Sequence, residues 1–165
     1  MISPETLSNG DFTLRPLTTE DFQEVYLAAS DPEIWEQHPD KLRYSPYAFT
    51  KYFRKLVGSD LPYVIIDTTQ QKVVGACCFY NFNPENKSVY LGYTFLEKAY
   101  WGTGANAQIK EMLLNHAFNF LDEVCFEVAE SNLRSKRALE KIKAKQIDRQ
   151  EKESDEIKLL FSIKK

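Results

Sequence analysis

The chain has 165 residues, of which 43% are hydrophobic and 13% aromatic, and its 24 acidic side chains outnumber the 21 basic ones. This length suits one domain with its own core. The low content of glycine and proline, 6 and 7 residues, excludes a collagen-like or linker-rich polymer. The net charge of −3 excludes a general positive field for nucleic acid or an anionic membrane. We therefore expect a single domain over residues 1–165, with no nucleic-acid or membrane partner and only a local site for any phosphate.

The ends of the chain and its cysteines indicate a reduced, cytoplasmic protein. Residues 1–10 lack a basic stretch followed by an apolar one, so no signal peptide is expected. No run reaches the roughly 18 apolar residues that a membrane span needs. Cys77, Cys78 and Cys125 are odd in number, and the first two are neighbours in an apolar run. We expect all three as small core side chains without a disulfide.

The first third of the chain predicts one strand and two helices. Residues 10–17 alternate apolar and polar side chains, which is typical of a strand. A cap hydroxyl and two acids at 18–21 precede apolar residues at helical spacing over 22–29, and Asp31-Pro32 ends that helix. A second helix is predicted over 47–57, where it ends at Gly58.

The middle of the chain predicts three consecutive antiparallel strands. They cover 61–67, 73–80 and 88–96, each rich in β-branched and aromatic residues and separated from the next by a polar turn. A short loop with glycines follows the third strand and leads into a long helix.

The long helix has one apolar stripe, formed by Ala105, Ile109, Met112, Leu113, Ala117, Phe120 and Leu121. Lys110 and Glu111 are predicted to face away from this stripe, with Asn115 and Asn119. A strand over 123–129, a helix after the cap candidates Ser131 and Asn132, and an alternating strand over 157–163 complete the chain.

The predicted order is β-α-α-β-β-β-α-β-α-β-β, in which the chain after the last helix counts as two strands. We therefore predict an α/β (α+β) fold with a central, mixed, mostly antiparallel sheet of about seven strands and helices on both of its faces.

The chemistry is expected at the strand, glycine turn and helix over residues 93–107. Gly102 and Gly104 at the mouth of the long helix allow backbone N–H groups to converge on an anion, and the helix dipole favours negative charge there. Neither G-x-x-x-x-G-K-[ST] nor G-x-G-x-x-G is present. On spacing alone, an anion site and a simple helix-capping turn both remain open.

Two segments resemble the GNAT N-acetyltransferases, most closely the branch of the ribosomal-protein N-terminal acetyltransferases. They are GYTFLEKAYWGTGANAQIKEMLLNHAF (92–118) and, after the next strand, ESNLRSKRALEKI (130–142). The resemblance implies acetyl-CoA as co-substrate, no metal, and an amine acceptor that is a protein N-terminus or a small molecule.

The resemblance also assigns roles to residues that would bind the cofactor. The backbone of Phe95 or Leu96 would pair with the pantetheine arm and supply the oxyanion N–H, and Asn132 would lie near that arm. Lys98, Arg134, Lys136 and Arg137 are candidates for the ADP phosphates. The diphosphate would be held by Trp101, Gly102, Thr103, Gly104, Ala105 and Asn106.

Two side chains are the candidates for catalysis. Ser135 would protonate the leaving thiolate, unless its hydroxyl bonds to its own backbone. Glu127 would act as a base through water, unless it is an ordinary outward carboxylate of a strand. His116 lies on the apolar stripe and is predicted to be a core histidine. Lys143 stands where relatives carry the glycine that ends the last helix.

The acceptor site and the activity itself stay open at this level. The aromatic residues between 35 and 53, together with His38, form either the acceptor wall or local packing. The sequence favours a catalytic N-acetyltransferase, and the alternatives are a non-catalytic acyl-CoA-binding or ribosome-associated module and, more remotely, a nucleotide-binding regulator. A monomer and a homodimer are equally compatible with it.

Overall fold

A computed structural model describes residues 1–151, 153 and 156–165, which form one mixed sheet and four α-helices. The strands are β1 (Leu7–Ser8), β2 (Phe12–Pro16), β3 (Leu61–Asp67), β4 (Lys72–Asn83), β5 (Ser88–Leu96), β6 (Glu123–Ala129), β7 (Lys145–Glu151) and β8 (Ile157–Lys164). The helices are α1 (Phe22–Ala28), α2 (Pro46–Val57), α3 (Ala105–Ala117) and α4 (Leu133–Lys141).

The sheet confirms the predicted fold class and adds one strand to it. Its order is β1-β2-β3-β4-β5-β6-β8-β7, and among the described strands β5 and β6 alone run parallel. The eighth strand is the two-residue β1, which pairs Leu7 with Leu14. Two residues are too few to show an alternating pattern, so sequence periodicity does not find this strand.

The central strands β3 and β4 bury both of their faces, because each face of the sheet carries a pair of helices. Tyr63 and Ile65 pack with α3 and α4, whereas Val64 between them packs with α1 and α2. On β4 the adjacent Cys77 and Cys78 divide in the same way, as the two-residue period of a strand requires. All three cysteines are buried and free, and burial raises the pKa of Cys77 to about 12, so it remains a thiol at neutral pH.

Helix α3 differs from its prediction at its end and on one side. It ends at Ala117, and Phe120, predicted to belong to the stripe, is 41% exposed in the turn that follows. Lys110, predicted to face away, is instead buried with only 7% of its surface exposed. The apolar face is wider than the stripe because α3 packs against β6 and α4 as well as the centre of the sheet.

Helix α4 ends in a left-handed cap although no glycine is there. Lys143 has a φ of 62°, and its N–H donates to the carbonyl of Glu140 at 3.0 Å. The next amide, that of Ala144, donates to the carbonyl of Leu139 at 3.1 Å. The chain therefore keeps the turn that glycine favours and accepts roughly 1 kcal/mol of strain at a lysine.

None of the helices in the described residues is long and apolar enough to cross a membrane.

Candidate active site

The candidate site is a gap in the sheet between β5 and β6. These strands pair at three positions, Ser88–Glu123, Val89–Val124 and Tyr90–Cys125, and then diverge. The other edge of β6 stays paired with β8 along the whole of β6. A cleft with a volume of about 770 Å³ opens where β5 and β6 separate, and residues of β5, β6, α3 and α4 line it.

A β-bulge lies in the cleft wall on β5. The register against β4 shifts so that Cys77 stands opposite both Tyr93 and Thr94. Tyr93 has a φ of 51°, and the hydroxyl of Tyr52 donates a hydrogen bond to its carbonyl oxygen. The hydroxyl of Thr94 is buried and has no hydrogen-bond partner among the described residues. Backbone strain of roughly 1–3 kcal/mol and an unsatisfied polar group are typical of a functional site.

The backbone of β5 beyond the bulge presents alternate residues to the cleft. The N–H of Glu97 donates to the carbonyl of Val74 on β4 at 2.8 Å. Because neighbouring residues of a strand direct their backbone groups to opposite edges, Phe95 faces β4 and Leu96 faces the gap. The carbonyl of Leu96 accepts a hydrogen bond from the indole of Trp101 at 3.1 Å. Of the two predicted backbone sites, Leu96 therefore lies at the open edge.

The glycine loop forms the mouth of the cleft. Gly102 and Gly104 have φ values of 71° and 85°, and no atom lies within 4 Å of a Cβ placed on either of them. Gly104 is the N-cap of α3 and provides no side chain for the first amides of the helix. The amides of Asn106 and Ala107 are therefore available to an anion, since the first turn of a helix has no internal partners for them.

The six residues predicted for the diphosphate divide between two surfaces. Trp101, Gly102, Gly104 and Asn106 line the cleft. Thr103 and Ala105 line a separate shallow depression. The hydroxyl of Thr103 donates to the carbonyl of Tyr100 at 2.6 Å, so this side chain stabilises the loop itself.

An arginine connects the glycine loop to the opposite rim of the cleft. The guanidinium carbon of Arg134 lies 3.9 Å from the ring centre of Trp101. Its Nη2 donates to the carbonyl of Ile34 at 2.8 Å. Lys98 is likewise engaged, in an ion pair with Glu33. Of the four cations considered for the ADP phosphates, these two therefore have partners within the protein, and Arg134 and Arg137 both line the cleft.

Asn132 and Ser135 both line the cleft at the start of α4. Asn132 is buried, and its side-chain oxygen accepts a hydrogen bond from the backbone N–H of Ser135 at 3.2 Å. This is a helix N-cap, which leaves the amide group of Asn132 and the hydroxyl of Ser135 for other contacts.

Glu127 lines the cleft from β6 but already has a partner. Oε1 of its carboxylate lies 2.8 Å from Nζ of Lys158, and the two side chains form an ion pair. Burial by itself would lower the pKa of Lys158, yet the hydrogen bond and the charge of Glu127 outweigh it and raise that pKa. His116 lies away from this site and is buried, with its Nε2 donating to the carbonyl of Ser3 at 2.7 Å, as expected of a core histidine.

Lys110 is a cleft residue that the apolar stripe did not reveal. Its side chain enters the cleft from α3, and the ammonium lies 5.5 Å from the ring centre of Phe126. It forms no hydrogen bond or ion pair with the described residues, and burial lowers the pKa of Lys110. A helical wheel that starts from the glycine loop would have found it, since Lys110 lies one turn after Asn106 on the same face.

The aromatic residues between 35 and 53 divide between cleft and core. Trp35 and His38 line the cleft, and the ring of Trp35 lies 5.5 Å from that of Phe95. Phe49 and Phe53 belong to the core beneath α1 and α2. The segment therefore supplies both the local packing and a wall of the cleft that the sequence left as alternatives.

His38 is expected to make stability depend on pH. Burial, followed by the positive charge of Arg43, lowers the pKa of His38 to about 4, against roughly 6.5 in an unfolded chain. Between these values the unfolded chain binds a proton that the folded one does not, so this contribution is complete above pH ~6.5 and declines as the pH falls towards 4. We expect a His38→Gln variant to lose about 2 kcal/mol less stability than the parent between about pH 7 and about pH 4.5 in urea unfolding. Equal losses would contradict this role.

No group of three or more His, Cys, Asp or Glu residues in the described chain is arranged to hold a metal ion.

Comparisons with known proteins agree with this geometry. The family model of the acetyltransferase (GNAT) domain matches residues 11–145. A search of curated protein sequences gave no significant match.

Among solved structures, a GCN5-related N-acetyltransferase from Brucella melitensis superposes with a TM-score of 0.84 at 16% identity, covering 98% of this chain and 79% of that one. Mycobacterium smegmatis RimJ in complex with CoA-disulfide has a TM-score of 0.78 at 19% identity, with coverages of 98% and 88%. Spermidine N-acetyltransferase from Vibrio cholerae, in complex with CoA and spermine, has a TM-score of 0.74 at 16% identity, with coverages of 94% and 96%. At these identities the structures establish the fold, whereas the family model spans most of the sequence, and the chain therefore belongs to the GNAT acetyltransferase family.

Proposed function

We propose that the protein is an acetyl-CoA-dependent N-acetyltransferase that transfers the acetyl group to an amine by direct attack on the thioester. The observation that carries this proposal is the gap between β5 and β6, which has the glycine loop and the N-terminus of α3 at its mouth. Membership of the family and the CoA present in the structures of RimJ and of the spermidine acetyltransferase support it.

The residues of the cleft suit a CoA molecule along its length. The free amides of Asn106 and Ala107, with the open space above Gly104, suit the diphosphate. The backbone edge at Leu96 that is not paired with a strand suits the amides of the pantetheine arm, which would bind as an added strand. The unpartnered hydroxyl of Thr94 and the ammonium of Lys110 are polar groups without internal partners, and a bound ligand would satisfy them.

Acetyl-CoA supplies an activated acyl group, so the protein has three tasks. In the transfer, the amine nitrogen bonds to the thioester carbon, the carbon–sulfur bond breaks, the amine loses a proton and the thiolate gains one. Of the two residues assigned to this task from the sequence, Leu96 has the backbone N–H that faces the gap, and this N–H would stabilise the developing oxyanion. Ser135 would protonate the thiolate.

Deprotonation of the acceptor favours an α-amine over a lysine side chain. An α-amine has a pKa of roughly 7.7–8.0, whereas a lysine amine near 10.4 is about 3.5 kcal/mol harder to deprotonate at neutral pH. Glu127 lines the cleft, and its carboxylate forms an ion pair with Lys158. We therefore propose Glu127 as an acceptor of the proton through water, in a reaction that needs little base strength.

The test combines cofactor binding with turnover. Calorimetry at about pH 7.5 should show micromolar binding of acetyl-CoA, and an assay of thiol release should show turnover with one class among peptides, polyamines and amino sugars. Ser135→Ala should lower kcat while leaving the Kd for acetyl-CoA within about twofold. Tight CoA binding without thiol release from any amine would instead establish the non-catalytic alternative, and absence of CoA binding would refute both.

Lys110 is expected to lower the stability of the free protein and to improve the binding of acetyl-CoA. A Lys110→Met variant removes the charge of a buried side chain whose ammonium has no hydrogen bond or ion pair among the described residues, so its free energy of unfolding should rise by about 1–2 kcal/mol. Its KM for acetyl-CoA should rise at the same time, because the cleft loses a donor. The matched control is Lys145→Met on β7, where the lysine is exposed and neither quantity should change. A less stable Lys110→Met protein would show that the ammonium has a partner in solution.

A further inference from the structure

A buried arginine stands in the cleft on the opposite face of the sheet from the glycine loop. Arg43 has a side chain only 9% exposed, and its guanidinium carbon lies 4.8 Å from the ring centre of Tyr52 and 5.6 Å from that of Trp35. Its Nε is buried without a hydrogen-bond partner among the described residues, and a carboxylate oxygen of Asp40 lies 3.6 Å from it. A guanidinium is always charged, and a buried charge normally has a hydrogen-bonded partner of opposite sign.

The neighbourhood of Arg43 contains more donors than acceptors. Nη1 of Arg43 lies 3.2 Å from Nε2 of His38, and the backbone N–H of Asp40 lies 3.0 Å from Nδ1 of the same ring. Both neighbours can only donate, whereas a neutral imidazole accepts at one nitrogen and donates at the other. The cluster of Arg43, His38 and the Asp40 amide therefore lacks an acceptor oxygen.

The other charged groups of the cleft do not supply that oxygen. Glu127 is paired with Lys158, and Oε1 of Glu156, which also lines the cleft, is buried without a hydrogen-bond partner among the described residues and so does not bond to the cluster. Asp40 is 44% exposed and too far from Nε for a hydrogen bond. No oxygen of the described residues therefore hydrogen-bonds to Nε of Arg43, and a bound ligand would supply one.

The position of the cluster suits a contact with the amine acceptor and not with CoA. Arg43 stacks on Tyr52, whose hydroxyl bonds to the carbonyl of Tyr93 in the bulge. Tyr52 and Trp35 belong to the core beneath α1 and α2, whereas the glycine loop opens at the N-terminus of α3, which packs on the other face of the sheet. A molecule bound at Arg43 would therefore approach the bulge from the side opposite to the diphosphate.

We propose that the amine acceptor carries a carboxylate, and that this carboxylate binds the guanidinium of Arg43. The inference rests on the function proposed above. A carboxylate accepts paired hydrogen bonds from a guanidinium and supplies the oxygen that the cluster lacks. A polyamine brings positive charge to the same place and is disfavoured. The carboxylate is either the α-carboxylate of a free amino acid or an acidic side chain near the start of a peptide.

The experiment compares acceptors that differ only in this group. Serine is paired with serinamide, and the C-terminally amidated peptide Ser-Asp-Ala is paired with Ser-Asn-Ala; spermidine serves as the cationic acceptor. In the thiol-release assay the carboxylate member of one pair should have a kcat/KM at least about tenfold higher than its amide partner. The pair that discriminates identifies the source of the carboxylate. Equal rates within both pairs, or a preference for spermidine, would overturn the proposal.

Two variants connect the discrimination to Arg43. Arg43→Met keeps an unbranched side chain against the two rings and should remove the preference for the carboxylate member of the pair over its amide partner. Arg43→Lys keeps the charge without the planar fork and should restore part of the preference. If Arg43→Met does not fold, a loss of at least half the preference in Arg43→Lys decides the question. A preference that survives either folded variant unchanged would refute the assignment.

A binding measurement separates this inference from the proposed activity. The same pairs are titrated by calorimetry into protein saturated with CoA. If no amine is acetylated but the carboxylate member binds more tightly than the amide and this difference needs Arg43, then the carboxylate site stands and the proposed activity fails. If neither member of either pair is preferred in binding or in turnover, the carboxylate site fails.

Discussion

A Gly104→Asp variant will lose affinity for acetyl-CoA by about 100-fold or more. Gly104 caps α3 without a side chain, and its left-handed φ of 85° is one that aspartate tolerates better than most residues. The introduced carboxylate can accept hydrogen bonds from the first amides of α3 and would compete with the diphosphate for them, while its charge repels phosphate. Two charge-assisted hydrogen bonds at roughly 1.5–3 kcal/mol each account for a loss of this size. Calorimetric titration with acetyl-CoA measures it.

Gly10→Asp is the matched control for this variant. Gly10 has a φ of 94°, and no atom lies within 4 Å of a Cβ placed on it, so its backbone conformation and surroundings resemble those of Gly104. It lies in the turn between β1 and β2 and does not line the cleft. The control should bind acetyl-CoA like the parent. Unchanged affinity in Gly104→Asp would show that the loop does not hold the diphosphate.

A Gly75→Ala variant will lose about 2–4 kcal/mol of its free energy of unfolding. A Cβ placed on Gly75 would lie 2.2 Å from the carbonyl oxygen of Phe95, which is backbone of the neighbouring strand and cannot rotate away. Either β4 or β5 must shift, and a forced shift within a packed sheet costs this much. Because Phe95 follows the bulge directly, the shift should also disturb the cleft wall and weaken binding of acetyl-CoA. Urea unfolding at neutral pH measures the loss.

Gly92→Ala tests whether the cost arises from the backbone contact. A Cβ on Gly92 would lie 3.1 Å from Cε1 of Tyr80, and this side-chain atom can move away by a few tenths of an ångström. We expect this variant to lose less than about 1.5 kcal/mol. If both variants lost the same amount, the close approach of Gly75 to Phe95 would not be the cause.

Much of the fold follows from the sequence, because its elements are long enough to repeat their patterns. The strands over 61–67 and 88–96 and the strand over 123–129 alternate or run apolar for seven residues or more, and the observed strands match them. The turn at Gly102 and Gly104 can be predicted from the sequence because both positions have a left-handed backbone conformation, which glycine adopts more readily than any other residue.

The parts of the site that the sequence did not predict depend on contacts between distant segments. The bulge at Tyr93 arises from the register between β4 and β5, and this register cannot be read from the sequence of either strand alone. Arg43 lies in a segment without a period, and its neighbours Trp35 and Tyr52 are set around it by the packing of α2. Lys110 was assigned to solvent because a lysine on a helix is normally exposed, whereas here the face turned to β6 is a cleft.

The three-residue seam between β5 and β6 divides the sheet into two parts, β1 to β5 and β6 to β8. Backbone amides that face the opening, such as that of Leu96, have no ladder partner and should exchange their hydrogens with solvent rapidly in the free protein. On the proposed function, the pantetheine arm takes the place of the missing ladder, so acetyl-CoA should slow this exchange while leaving the amides of β3 unaffected. At about one hundred times its Kd the ligand adds about 2.7 kcal/mol to stability. The melting temperature of the protein would then follow the concentration of acetyl-CoA around it, and proteolysis would remove the molecule more slowly when acetyl groups are plentiful.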